Sequence, residues 1–108
     1  MVGRAATDCL IVGGGLIGML SAYELVQAGQ RVTLLERGQT GQESSWAGGG
    51  ILSPLYPWRY PDAVSELASW GQSRYQGLAE ALFAQSGIDP EWQPSGLLML
   101  SVADRAAA

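Results

Sequence analysis

"DCLIVGGGLIGML", residues 8–20, changes character twice within a few residues. Cys9 to Val12 is a short apolar run of the kind a buried parallel strand uses, and it breaks at glycine, as such a strand does on meeting a turn. From about Leu16 the spacing becomes helical. Gly14, Gly18 and Ala22 fall four apart on one face, and Ile17, Leu20, Ser21, Leu25 and Ala28 fill the neighbouring rows. Gly29 follows as a left-handed stop.

Working outward, "RVTLLER" at 31–37 is rich in branched residues and ends on charge, so it reads as a second strand. Strand, helix and strand together predict one βαβ unit with parallel strands and a right-handed crossover. A single unit of this kind leaves sheet edges open and covers one face only, so the fold class expected is α/β, an incomplete Rossmann-like unit at the front of a larger enzyme. The loop that follows, "GQTGQESSWAGGG" at 38–50, is too long for a plain connection and is a candidate binding loop. Prolines at 54, 57 and 61 predict an extended, irregular stretch. Residues 61–87 read as one long amphipathic helix with Asp62 as N-cap, weakened by Gly71 and Gly77 and ended by Gly87. "GLLMLS" at 96–101 reads as a further strand, and 102–108 as the first turn of a helix. The division expected is a cofactor-binding unit over 1–53 and a second part over 54–108.

Composition narrows the chemistry. With 47% hydrophobic and 15% charged residues among 108, the chain is of globular type. Its net charge of -4 and six scattered Lys and Arg exclude a phosphate-tracking surface, so no nucleic acid partner is expected. There is no histidine, and the single Cys9 has no second cysteine to pair with. Metal clusters and Ser/His or Cys/His nucleophile pairs are therefore absent from this sequence, and the chemistry has to come from a cofactor. Cys9 is expected to be a small core residue, since no cationic neighbour is in view to make it reactive. The apolar run at 9–20 is far shorter than the roughly 20 residues of a membrane span, and Asp8 interrupts its approach, so no membrane association and a cytoplasmic location are expected.

Gly13, Gly15 and Gly18 form GxGxxG at the strand-to-helix turn. The first glycine permits the tight turn, the second lets backbone approach a pyrophosphate, and the third permits close packing of helix on strand. Free N–H groups and the positive end of the dipole then face the anion. Glu36, eighteen positions after Gly18 at the end of the second strand, is placed to accept hydrogen bonds from ribose hydroxyls and would repel a 2'-phosphate. Dinucleotide binding without preference for NADP is the reading. Arg37 lies either over the adenine edge or in solvent.

"IVGGGLIGMLSAYELVQAGQRVTLLERG" followed by "GQESSWAGGGILSPLYPW" resembles the N-terminal part of the FAD-dependent D-amino-acid oxidase family, most closely its glycine-oxidising members of bacterial thiamin biosynthesis. "FAQSGIDPEWQPSGLLMLS" is similar to the entry of those enzymes into their substrate-domain sheet. The resemblance implies FAD as cofactor and a small amino acid or amine as substrate, oxidised to an oxo acid with release of ammonia and hydrogen peroxide. It implies that Leu16 and Ile17 meet the pyrophosphate through their backbone, and that Glu36 and Arg37 hold the adenosine side. Ser44 and Ser45 match a hydroxyl pair that bonds the phosphate and ribityl region, and Gly49, Gly50 and Ile51 match the turn beside the isoalloxazine ring. Glycines there would let backbone reach the ring and leave N–H groups for its electron-accepting edge. The family clamps the substrate carboxylate with an arginine and a tyrosine from its later half, which nothing here matches, Arg59 and Tyr60 included. Catalytic residues are therefore not assigned. Sarcosine oxidase, D-amino-acid dehydrogenase and a non-catalytic nucleotide-binding module remain open alternatives, as does a homo-oligomeric full-length enzyme.

Overall fold

The computed structural model describes residues 6–53, 56–100 and 103. Regular structure runs β1 (Cys9–Val12), α1 (Leu16–Gln27), β2 (Val32–Leu35), a 3-10 turn (Pro57–Arg59), α2 (Asp62–Gln72) and α3 (Tyr75–Ser86). The chain divides into two units with the boundary after Gly50.

In the first unit β1 and β2 pair in parallel, Cys9 opposite Val32 and Val12 opposite Leu35, as expected for a βαβ unit. The ladder is extended at one end by Gly13 N–H donating to Leu35 O at 2.8 Å. At the other, the Asp8 carboxylate takes the Arg31 amide at 2.9 Å and grips its guanidinium through Nε at 2.9 Å and a second nitrogen at 2.7 Å. That guanidinium holds the Asp8 carboxyl below its usual range. A hydroxyl bond between Thr7 and Thr33, 2.8 Å long, adds a cross-strand contact.

α1 contacts both strands. It can do so because Gly18 has no side chain: a Cβ there would run into the carbonyl oxygen of Gly13 and come within 3.5 Å of Ile11. The helix ends where Gly29, at φ +81°, turns the chain left-handed while its N–H bonds Val26 O. Gly14 precedes the helix rather than sharing a face with Gly18 and Ala22, because α1 begins only at Leu16. One helix covers one face of two strands, so Leu10 and Val12 stay exposed and Cys9 only half-buried. Among the described residues no apolar side chain is fully buried.

The second unit departs from the single long helix expected. Ser73 Oγ donates to Trp70 O at 2.7 Å, the carbonyl that Arg74 N–H would meet in a continuing α-helix, and that N–H bonds Gly71 O instead. The helix therefore breaks into α2 and α3, with the Arg74 guanidinium 4.8 Å above the Trp70 ring. Asp62 is not the N-cap. Pro61 holds that place without a side-chain bond, and Asp62 lies in the first turn, where its charge still complements the helix dipole. Gly87 ends α3 at φ +72°, as its type predicts.

The proline-rich stretch is less extended than expected, since Pro57–Arg59 winds into a 3-10 turn from a left-handed Tyr56. The Arg59 guanidinium there stacks 4.4 Å over the Tyr56 ring. Residues 96–100 carry no strand, for a strand needs a ladder partner and the sheet contains only β1 and β2. Residue 101 and all but residue 103 of the expected final helical turn lie outside the described residues.

Candidate functional site

β1 delivers the glycine turn and β2 delivers Glu36 to the same end of the sheet, because the strands are parallel and in register. There the Glu36 carboxylate accepts the Gly14 N–H at 2.7 Å through one oxygen and the Gly38 N–H at 2.9 Å through the other. These two bonds, Gly14's first, hold its carboxyl below the usual glutamate range against the opposing pull of partial burial, and the neighbouring Arg37 adds to the effect. Glu36 is thus an ionised brace between the turn and the start of the loop. Each carboxylate oxygen keeps a second lone pair for a ligand hydroxyl.

Beside the brace lies a cleft of about 170 Å³ lined by Gly13, Gly14, Gly15, Glu36, Gln39, Gly41, Gln42, Glu43, Ser44 and Ser45. Gly13 sits at φ +106°, the conformation that makes the sharp exit from β1 and that a side chain would oppose. Leu16, Ile17 and Gly18 open α1, whose first internal bond runs from Met19 N–H to Gly15 O. Their three N–H groups therefore have no acceptor inside the helix. Leu16 gives its hydrogen to Ser45 Oγ at 2.8 Å, and no acidic side chain occupies the first turn. The concave backbone, the helix start and a carboxylate at the second strand fit a nucleotide diphosphate joined to a ribose.

Of the residues expected at the site, Gly13, Gly15, Glu36, Ser44 and Ser45 line the cleft, and Leu16 joins it through Ser45. Arg37 is turned aside: its guanidinium bonds Glu43 at 2.7 Å, with both side chains largely exposed. Gly49, Gly50 and Ile51 are not among the lining residues. Ile51 is exposed, and Gly50 is held at φ +71°, a backbone conformation that favours glycine. Trp46 is also exposed.

Sequence reasoning missed Gly14. The motif treats it as a variable position, yet it is the one buried residue among those described. A Cβ there would come within 2.8 Å of Thr40 Cγ2 and 3.1 Å of Glu36 Cβ, and its carbonyl accepts the Gly41 N–H at 2.8 Å. The run of three glycines was the available signal. Gln39, Gln42 and Glu43 were also missed, because a loop's inward positions follow no period. Among the described residues no cluster of three metal-ligating side chains occurs, and no helix is long and apolar enough to cross a membrane.

The family described as "FAD dependent oxidoreductase" (DAO) matches residues 8–108. The glycine oxidase of Pseudomonas aeruginosa is 54% identical over 99 residues, which cover 92% of this chain and 27% of that protein. A D-amino acid dehydrogenase of Methylobacterium radiotolerans is 43% identical over 72 residues, covering 64% of this chain and 17% of its own. The crystal structure of a glycine oxidase from Bacillus cereus superposes with a TM-score of 0.70 at 31% identity, over 78% of this chain and 23% of that one. The chain thus spans about a quarter of the length of the glycine oxidases it matches.

Proposed function

Because the chain belongs to the DAO family of FAD-dependent oxidoreductases, we propose that its first unit forms the adenosine and pyrophosphate half of the FAD site in an amino acid oxidase of the glycine oxidase type. The observation that supports the reading is the Glu36 brace, an ionised carboxylate bonded to the Gly14 amide beside a cleft that the glycine turn lines just before the start of α1. Glu36 accepts from the ribose hydroxyls, and the amides of Ile17 and Gly18 meet the pyrophosphate. Ser44 and Ser45 face the phosphate and ribityl region from the loop. Gly49, Gly50 and Ile51 serve the flavin ring, with Ile51 at the border of the substrate pocket. Arg37 is directed to the adenine side when it leaves Glu43.

FAD, when bound, supplies the two-electron chemistry that converts a small amino acid to its imine, hydrolysed to oxo acid and ammonia, while oxygen is taken to hydrogen peroxide. The residues of this chain bind and orient it. The Glu36 carboxylate lining the cleft repels an extra phosphate on the ribose and so selects the unphosphorylated adenosine. Glycine is the proposed substrate, thiamin thiazole assembly the destination of its product, and the cytoplasm the compartment.

The test uses the whole protein that contains this chain. A purified yellow protein that forms peroxide with glycine supports the reading, and Glu36→Arg is expected to remove the flavin absorption. Electron transfer to a dye with D-alanine, without peroxide, would favour the second reading, a D-amino acid dehydrogenase, which the 43% identity over 72 residues supports. A colourless protein that gains no flavin on incubation with FAD would overturn both.

A further inference from the structure

The first amide of α1 is already engaged. Leu16 N–H donates to Ser45 Oγ at 2.8 Å across twenty-nine positions of sequence, so the group best placed to meet an anion is occupied by a hydroxyl from the loop. The approach is close because Gly15 has no side chain: a Cβ there would stand 3.3 Å from the same oxygen. Ser45 itself lies within a single wound turn, in which the N–H groups of Trp46 and Ala47 donate to Glu43 O at 3.1 and 3.2 Å. That turn runs directly into Gly48, whose added Cβ would lie 3.3 Å from Ser45 O. The hydroxyl of Ser45 therefore connects two parts of the site that no other described bond joins, the start of α1 and the segment leading to Gly49 and Gly50.

We propose that the Leu16–Ser45 hydrogen bond is a coupling tie: the segment 44–50 takes its place only against a formed first turn of α1, so occupation of the phosphate cleft and placement of the flavin-side segment are linked. The inference rests on the reading of this cleft as an FAD site. A ligand that uses only the cleft does not need the tie, because removal of Ser45 Oγ frees Leu16 N–H for the phosphate. A ligand that uses both the cleft and the segment beyond it does need the tie. Two sites joined in this way commonly couple by about fivefold to 150-fold in affinity.

The experiment measures binding of ADP and of FAD to the full-length apoprotein, comparing the native chain with Ser45→Ala and Ser45→Thr. With Ser45→Ala, FAD is expected to bind roughly tenfold more weakly, while ADP, which has no ribityl or flavin side, loses far less. Ser45→Thr keeps the hydroxyl and should behave like the native chain towards both ligands. Amide hydrogen exchange in the apoprotein supplies a reading independent of any ligand: Leu16 should lose protection in Ser45→Ala and keep it in Ser45→Thr. If Ser45→Ala fails to fold, Ser45→Cys, whose sulfur is a weak acceptor, carries the same comparison. Equal losses for ADP and FAD would make Ser45 an ordinary phosphate ligand and overturn the tie. No loss for either would overturn it as well, leaving the site assignment intact. A native apoprotein that binds neither ligand would instead overturn the FAD reading itself.

Discussion

The two units hold themselves together over different distances along the chain. In residues 6–50 the bonds that matter cross twenty-two to twenty-nine positions: Gly14 to Glu36, Asp8 to Arg31, Leu16 to Ser45. The bonds described in residues 56–100 are local, and that from Ser65 Oγ to Pro57 O reaches furthest, at eight positions. Local bonds fix a helix but leave its apolar face to find a partner, and Val64, Leu67, Trp70 and Phe83 remain exposed on α2 and α3. Long-range bonds fix where one element stands against another, which is what a binding cleft requires. A glycine should therefore mean something different in each unit.

The sharpest way to break that contrast is the same substitution in both. Gly18→Ala drives a methyl group into the Gly13 carbonyl, and backbone cannot step aside as a side chain tip would. A loss of roughly 3 kcal/mol is expected, at the upper end of what overpacking costs. Gly77, inside α3, has nothing within 4 Å of its added Cβ. Gly77→Ala should therefore gain up to about 1 kcal/mol from helix propensity. Urea unfolding midpoints with unchanged slopes read both effects. Shifts of the same sign would mean that α1 does not lie on β1 as closely as described.

Gly14→Ala sharpens the contrast within the first unit. Its Cβ meets Thr40 Cγ2 at 2.8 Å, a loop methyl, and Glu36 Cβ at 3.1 Å, the root of the brace. The expected cost is about 2 kcal/mol. Thr40→Ser deletes the first obstacle and leaves the second, so the double variant should recover part of the loss and not all. A double-mutant cycle measures this coupling directly. Strict additivity would show that the loop relaxes away from Gly14 without help.

Glu36 ties the same region to pH. Its carboxyl is held below the ordinary glutamate range by the Gly14 and Gly38 amides, so the folded group binds its proton less readily than the unfolded one. The stabilisation is fully present above the unfolded value and is lost as pH falls through the depressed folded value. In an amide NMR titration the Gly14 and Gly38 resonances should move together, with a midpoint below the usual glutamate range. Glu36→Gln should abolish that shared transition. Separate midpoints for the two amides would mean that Glu36 is not the brace between them.

How far the sequence could be read follows the same division. The βαβ unit was legible because its period changes, apolar run to glycine to helical spacing, and each change coincides with a backbone requirement that the structure bears out at Gly13, Gly18 and Gly29. Glu36 could be placed from its distance beyond the motif, but its bonds to Gly14 and Gly38 could not, since they depend on how the loop folds back. The break between α2 and α3 was hidden for a different reason. Ser73 is unremarkable by propensity, and its bond to Trp70 O, beside an Arg74 N–H that turns to Gly71 O, marks where α2 stops. Among the described residues, 96–100 of the segment read as a strand at 96–101 pair with nothing, since strand pattern expresses what a segment could pair with and pairing is settled by a neighbour.

The smallest effect is expected at the most conspicuous charges. Arg37 and Glu43 make a 2.7 Å ion pair across the mouth of the loop, but their side chains are 83% and 67% exposed. Water and salt screen such a pair, so little stability is stored in it. Arg37→Ala should leave the thermal midpoint of the apoprotein almost unchanged, in contrast to Gly18→Ala. Its consequence belongs to the ligand. If the guanidinium leaves Glu43 for the adenine side on binding, Arg37→Ala weakens ADP and FAD equally, which separates it from the unequal losses expected for Ser45→Ala. Glu43→Gln frees the guanidinium beforehand and should strengthen both, most visibly at low salt. If instead Arg37→Ala lowered the apoprotein's midpoint as much as Gly14→Ala, an exposed charge pair would be holding the loop, and the first unit would owe its order to more than the backbone bonds around its glycines.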